Sequence, residues 1–303
     1  MQLSILIVSW NTRTLLEACL DSVRRELHAS PGLESEIIVV DNASSDGSLE
    51  MIQQGYPECP LIANKHNRGF GAANNQAAAA AQGDFLLLLN PDTLLHPGLI
   101  AGLVEHLEKH PELGAVGPRV LNPDGSLQSS AHPTPTLFRE AWRLFHLDNL
   151  APISQYPAKF FETSLARPVD ILKGACILLR RAALQGEKLF DERFFMYSEE
   201  VDLCLRLRQA GWQIHWLPTV SLVHYGGQST QQIPEQMFLE LYRNKVKFFR
   251  KHYGDGTAWI YKTLLFLAAL PRCSLGLLPS SNHKEWKTTA RHYRLLMQSV
   301  SGF

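Results

Sequence analysis

The chain has 303 residues, 45% of them hydrophobic, with 29 basic and 29 acidic side chains and five cysteines. That length suits one large α/β domain plus an appendage, and the apolar content is enough to bury a core, so disorder is not the default reading. Cys19, Cys59, Cys176, Cys204 and Cys273 are an odd set without a CxxC pair, which argues against a disulfide framework or a thiolate zinc site.

From Met1 the chain runs straight into a strand-like segment, without the basic start, apolar stretch and cleavage site of a signal peptide, so a cytoplasmic location is expected. Residues 4–9 (SILIVS) read as a buried parallel strand that ends at Trp10-Asn11-Thr12. Leu15, Leu16, Cys19, Leu20 and Val23 then repeat at helical spacing. A second apolar run, residues 37–40, ends on a cluster of turn and cap formers from Asp41 to Ser48, before another helix-like stretch. The alanines of residues 69–81 favour helix, and residues 85–89 form a third apolar strand stopped by Asn90-Pro91-Asp92-Thr93. Ligands of open α/β sheets bind beyond the carboxyl ends of the strands, so these three polar loops outline a candidate site. Residues 122–168 are richer in Pro, Ser and polar residues and read as irregular or inserted structure. A strand at 175–179 precedes the acidic segment Tyr197-Ser198-Glu199-Glu200-Val201-Asp202, which opens a helix stopped near Gly211.

Each polar loop has a bland and a chemical reading. Asp92, presented at a strand end, is the type of carboxylate that holds a Mg²⁺ or Mn²⁺ ion beside a diphosphate, although an Asn-Pro-Asp turn alone is more often a turn device. Asp41 can accept the N3–H of a pyrimidine while Trp10 stacks on the ring; the alternatives are a helix cap and a core aromatic. Arg68 can reach a phosphate, whereas a lone loop arginine is usually just solvated. Two adjacent carboxylates after the aromatic run Phe194-Phe195-Met196-Tyr197 are costly to bury without purpose, and a partly dry carboxylate there gains the basicity to deprotonate a sugar hydroxyl. Stabilisation of acids by the helix dipole is the competing explanation. Asp202 and Arg206, four apart, suggest a structural ion pair. His224 stands before two glycines on an expected loop, as a metal ligand or as a structural histidine. A nucleotidyltransferase would want a Gly-rich phosphate loop after the first strand, which Trp10-Asn11-Thr12 is not.

Taken together, SILIVSWN (4–11), VVDNASSDGS (39–48), NRGFGAANNQA (67–77), LLLLNPDT (86–93), KGACILLRR (173–181), FDERFFMYSEEVDLCLRLRQAGW (190–212) and HYGGQS (224–229) resemble glycosyltransferase family 2, in particular its bacterial rhamnosyltransferase-like branch. The resemblance covers roughly residues 3–252. It implies an inverting enzyme of GT-A fold, a Rossmann-like mixed α/β sheet flanked by helices. By that resemblance Trp10, Asp41, Arg68 and Asn90 look like nucleotide-sugar-binding residues, and Asn90 stands where the DxD-type motif has its first carboxylate. Asp92 and His224 look like metal ligands for Mg²⁺ or Mn²⁺. Glu200, or else Glu199, falls at the catalytic base, with Glu for the family's Asp. The implied reaction moves rhamnose or a hexose from a dTDP- or UDP-sugar to a saccharide or polyprenyl-diphosphate-linked saccharide acceptor in cell-surface polysaccharide synthesis. The alternative is a catalytically impaired nucleotide-sugar- or glycan-binding protein of the same fold.

Charge sets the end of the chain apart. Residues 1–240 carry 18 Lys and Arg against 27 Asp and Glu, while residues 241–303 carry 11 against 2. With the family resemblance ending near residue 252, a catalytic domain is expected over 1–254 and a basic, apolar helical segment over 255–303. The apolar stretch at 259–270 is interrupted by Lys262 and followed by Pro271 and Arg272, short of the roughly 20 residues that span a bilayer. It reads as an interfacial helix on an anionic membrane surface, the inner face of the cytoplasmic membrane, with no nucleic-acid partner expected.

Overall fold

A computed structural model describes residues 1–274 and 283–303, with the side chains of 283–285 excepted. The strands, in chain order, are β1 (Leu3–Ser9), β2 (Ser35–Asp41), β3 (Leu61–Ala63), β4 (Phe85–Leu89), β5 (Thr93–Leu95), β6 (Leu113–Leu121), β7 (Leu127–Gln128), β8 (Ala131–His132), β9 (Arg167–Pro168), β10 (Ile171–Leu172), β11 (Cys176–Arg180) and β12 (Gln213–His224). The α-helices are α1 (Arg13–His28), α2 (Ser48–Gly55), α3 (Phe70–Ala80), α4 (Leu99–Lys109), α5 (Leu137–Leu144), α6 (Ala158–Phe161), α7 (Glu199–Gln209), α8 (Pro234–Tyr253), α9 (Asp255–Cys273) and α10 (His283–Ser299).

Two compact units emerge. The first comprises Met1–Thr134, Pro157–Phe195 and Glu199–Gln232. Its main sheet runs β3-β2-β1-β4-β11-β6-β12-β5. The first four strands are parallel, so their carboxyl ends share one edge of the sheet. β11 is antiparallel to both β4 and β6, and β12 returns parallel to β6, which makes the sheet mixed. All seven residues of β1 and all five of β4 are buried, as continuous apolar runs in a doubly covered sheet should be. The register of β12 shifts between Leu217 and Ser221, where Pro218 has no N–H for the ladder. α3 buries Ala72, Ala73 and Ala77, small enough to bring its backbone close to the sheet.

The second unit gathers Pro135–Tyr156, Met196–Ser198 and Ile233–Phe303. It therefore begins before α8, not at residue 255, and recruits α5 from the stretch that reads as irregular in the sequence. The reason is packing: Phe249 of α8 lies 4.7 Å, ring to ring, from the buried Tyr261 of α9. The Tyr261 hydroxyl donates to Glu140 Oε2 at 3.2 Å, while Lys245 Nζ lies 2.8 Å from both Glu140 oxygens and Arg143 Nη2 2.7 Å from one. Burial alone would push the Glu140 carboxyl up; the Lys245 and Arg143 charges outweigh it and hold the pKa down at about 2.

A depressed carboxyl contributes stability that is present above its unfolded value and lost as pH falls through the folded one. Thermal melts should thus show this unit losing about 3 kcal/mol between roughly pH 4.5 and 2, and Lys245→Met should remove most of that dependence. Identical pH profiles in the two proteins would refute the assignment.

Candidate active site

The first unit delivers its polar loops as the sequence predicts, at the shared edge. Asp41 ends β2 opposite Ser9, the last residue of β1. Its carboxylate is buried: Oδ2 accepts the Ser44 N–H at 3.0 Å, and Oδ1 meets no hydrogen-bond partner among the described residues. A buried carboxylate oxygen without a donor is expensive, and this one has the chemistry to accept an N–H at the sheet edge. Neighbouring Asn42 donates to Asn67 Oδ1 at 2.8 Å and accepts the Arg68 N–H at 3.0 Å, tying the 64–69 loop to the end of β2. Gly69 closes that loop at φ +83°, where a Cβ would stand 2.5 Å from Phe195 O. Only glycine fits there.

Trp10 follows β1 and is half-buried. Its carbonyl accepts the Ser229 hydroxyl at 3.0 Å, and Asn11, at φ +51°, exchanges hydrogen bonds with Gln232. The segment after His224 is thereby held against the end of β1. Arg68 is exposed and lines a cavity of about 500 Å³ with Asn75, Gln76, Arg181, Lys188 and Glu192.

Asn90 and Asp92 sit between β4 and β5, and β5 pairs with β12 so that Thr93 lies opposite His224. His224 is thus the last residue of a twelve-residue strand and not a loop residue; the two glycines after it carry the turn. The pairing brings His224 Nε2 to 3.3 Å from Asp92 Oδ1 and 3.4 Å from Asn90 Nδ2. Asn90 Oδ1 is buried and finds no hydrogen-bond partner among the described residues. One carboxylate, one imidazole and one amide oxygen suit a hard divalent cation, but no three His, Cys, Asp or Glu groups converge among the described residues. The donor set fits a Mg²⁺ or Mn²⁺ ion, which Asp92 and His224 would hold.

Glu199 and Glu200 open α7, entered through two successive left-handed residues, Tyr197 at φ +69° and Ser198 at φ +68°. Such backbone is costly for non-glycine residues and gathers at functional sites. Glu199 is buried, whereas Glu200 is partly open to solvent and lies beside Gly174, its Cβ 4.0 Å from where a Cβ on that glycine would stand. The next residue, Ala175, accepts the Asn90 N–H at 3.0 Å, so the loop beside Glu200 is fastened to the loop that carries Asp92. The Lys173 ammonium is held below the usual lysine range by desolvation and pulled back by the Glu200 charge. Asp202 and Arg206 pair at 2.9 Å, a structural bridge as their spacing suggests.

A mixed sheet of this order, with acidic loops at its shared edge, is the GT-A architecture, and the chain is a glycosyltransferase. It belongs to glycosyltransferase family 2: residues 4–186 match the family described as Glycosyl transferase family 2. It is 34% identical over 212 residues to the N-acetylglucosaminyl-diphospho-decaprenol L-rhamnosyltransferase of Mycobacterium tuberculosis, covering 65% of this chain and 69% of that protein. It is 26% identical over 224 residues to rhamnosyltransferase WbbL of Escherichia coli, with 67% and 77% covered. Among solved structures, the mannosyltransferase PcManGT of Pyrobaculum calidifontis, in complex with GDP-Man and Mn²⁺, aligns over 99% of this chain and 87% of its own. The TM-score there is 0.58 at 16% identity, a likeness of fold.

Two features escape sequence reading: the β5–β12 pairing that joins Asp92 to His224, and the contact of Gln128 with that histidine. β5 has three residues and β7 two, too short to show alternation.

Proposed function

We propose that this glycosyltransferase moves rhamnose or a hexose from a dTDP- or UDP-sugar to a hydroxyl of a lipid-linked saccharide, by one displacement that inverts the anomeric carbon. The observation that carries the donor class is the buried Asp41 carboxylate with a free acceptor oxygen at the sheet edge beside Trp10. The N3–H of uracil or thymine satisfies that oxygen, and the Trp10 ring supplies a stacking face. The acceptor oxygen attacks the anomeric carbon as Glu200 takes its proton, and the bond to the diphosphate breaks with its electron pair on the leaving oxygen. A Mg²⁺ or Mn²⁺ ion bound by Asp92 and His224 would supply positive charge to that leaving group. The rhamnosyltransferase relatives support the sugar, and the decaprenyl-diphosphate acceptor in the name of one supports a lipid-linked acceptor.

Asp41→Ala should weaken UDP and dTDP by about 10–100-fold, the worth of a hydrogen bond to a charged group, and leave GDP binding unchanged. Calorimetry showing equal UDP affinity in both proteins would remove base recognition.

A lipid-linked acceptor calls for a surface that meets the membrane, and the second unit offers one. Its 13 Lys and Arg outnumber its 6 Asp and Glu. α9 buries Ala258, Tyr261, Leu265 and Ala268 while exposing Trp259, Ile260, Phe266, Leu267 and Leu270. No helix among the described residues is long and apolar enough to cross a membrane. We read α9 as lying in the interface of an anionic leaflet. A chain cut after Gly254 would strip Phe249 of Tyr261, so substitution is the cleaner test. Trp259→Glu with Leu267→Glu should abolish co-sedimentation with anionic liposomes at low salt while the melting temperature holds. Undiminished binding would point to a soluble saccharide acceptor.

A further inference from the structure

The histidine at the candidate cation site is oriented by a directional chain of hydrogen bonds that ends on a carboxylate. β6 turns at Asn122 through Gly125, at φ +81°, into β7, and this hairpin sets Gln128 opposite Val120. Across β6, β12 pairs Val223 with Leu121, which brings Gln128 Oε1 to 2.7 Å from His224 Nδ1.

Every link has one polarity. The Ser126 hydroxyl lies 2.6 Å from Asp124 Oδ1, and a carboxylate can only accept, so the hydroxyl proton points there. Its oxygen therefore accepts from Asn122 Nδ2 at 2.9 Å, which turns Asn122 Oδ1 toward Gln128 Nε2 at 2.9 Å. Gln128 Oε1 is left facing the imidazole, and an amide oxygen requires a proton on Nδ1. Neutral His224 consequently presents Nε2 as a lone pair, 3.3 Å from Asp92 Oδ1. Nε2 can accept the Asn90 Nδ2 N–H at 3.4 Å, and together with Asp92 Oδ1 it offers two lone pairs that would both face a cation placed between them.

We propose that Gln128, held by Asn122, Ser126 and Asp124, is a positioning residue for the cation site, fixing His224 in the Nδ1–H tautomer. This rests on reading Asp92 and His224 as the site of a divalent cation. Removing the acceptor frees the ring to rotate or to place its proton on Nε2, where it would oppose the metal.

The test uses the full ¹⁵N-labelled chain without metal at about pH 8, above the ordinary imidazole range. The wild-type ring nitrogens of His224 should report Nδ1–H; Gln128→Met should shift them toward Nε2–H, and Gln128→Glu, which keeps an acceptor, should not. Mn²⁺ titrated by electron paramagnetic resonance with UDP present should bind Gln128→Met about 10–100-fold more weakly than wild type, with Gln128→Glu restoring most of the loss. An Nε2–H tautomer in the wild type, or a Gln128→Met protein with unchanged tautomer and Mn²⁺ affinity, would overturn the role of Gln128 alone. Mn²⁺ that leaves the His224 signals unbroadened would overturn the cation site together with it.

Discussion

Glu200→Gln should lower turnover by about two to three orders of magnitude while donor affinity stays near that of the wild type, as expected when a general base alone is lost. The substitution preserves shape and removes basicity at a residue that is partly open to solvent, beside Gly174. Glu199, one residue earlier, is 4% exposed, and an acceptor hydroxyl has little room to reach it. Its Gln variant should therefore be mainly a stability variant, with a lowered melting point and turnover within about tenfold of wild type. A dead Glu199→Gln enzyme beside an active Glu200→Gln would move the base by one residue. Single-turnover kinetics with a saturating acceptor separates the chemical step from donor binding.

Asp92→Ala should abolish stimulation by Mg²⁺ and Mn²⁺ altogether. Asn90 contributes at most a neutral amide oxygen and His224 a neutral nitrogen, so no charged ligand would remain in that loop. Asp92→Asn, nearly the same size, should behave the same way, which separates charge from packing. Near-normal metal-dependent turnover in either variant would sink the metal assignment.

The parallel half of the sheet is legible from its residues because it is buried on both faces: SILIVS and FLLLL are continuous apolar runs, and each hands over to a polar loop. The site residues of those loops follow from one rule about strand ends. What stays hidden is how the other half pairs: the strand read at 175–179 is β11, but its own residues do not show that it runs antiparallel to β4. His224 reads as a loop residue because two glycines follow it, and nothing local says that the strand before it pairs with Thr93, 131 positions earlier. The expected boundary at 254 follows the extent of the family resemblance, whereas the second unit follows packing, which reaches back to Glu140 for a partner to Lys245 and Tyr261. A buried carboxylate with distant partners leaves no periodic trace.

The order of strands in the main sheet also governs how the chain is made. β4 takes its second neighbour from β11, pairing Phe85 with Arg180 and Leu89 with Cys176. During synthesis the apolar FLLLL strand emerges roughly 90 residues before the strand that covers its flank, a wait of about 5–20 s at ribosomal speeds. Over that interval it is an uncovered edge, the type of segment that templates pairing between chains. Until β11 arrives, β4 has only β1 as a strand neighbour, and conditions that slow elongation between residues 90 and 176 should favour aggregation over folding.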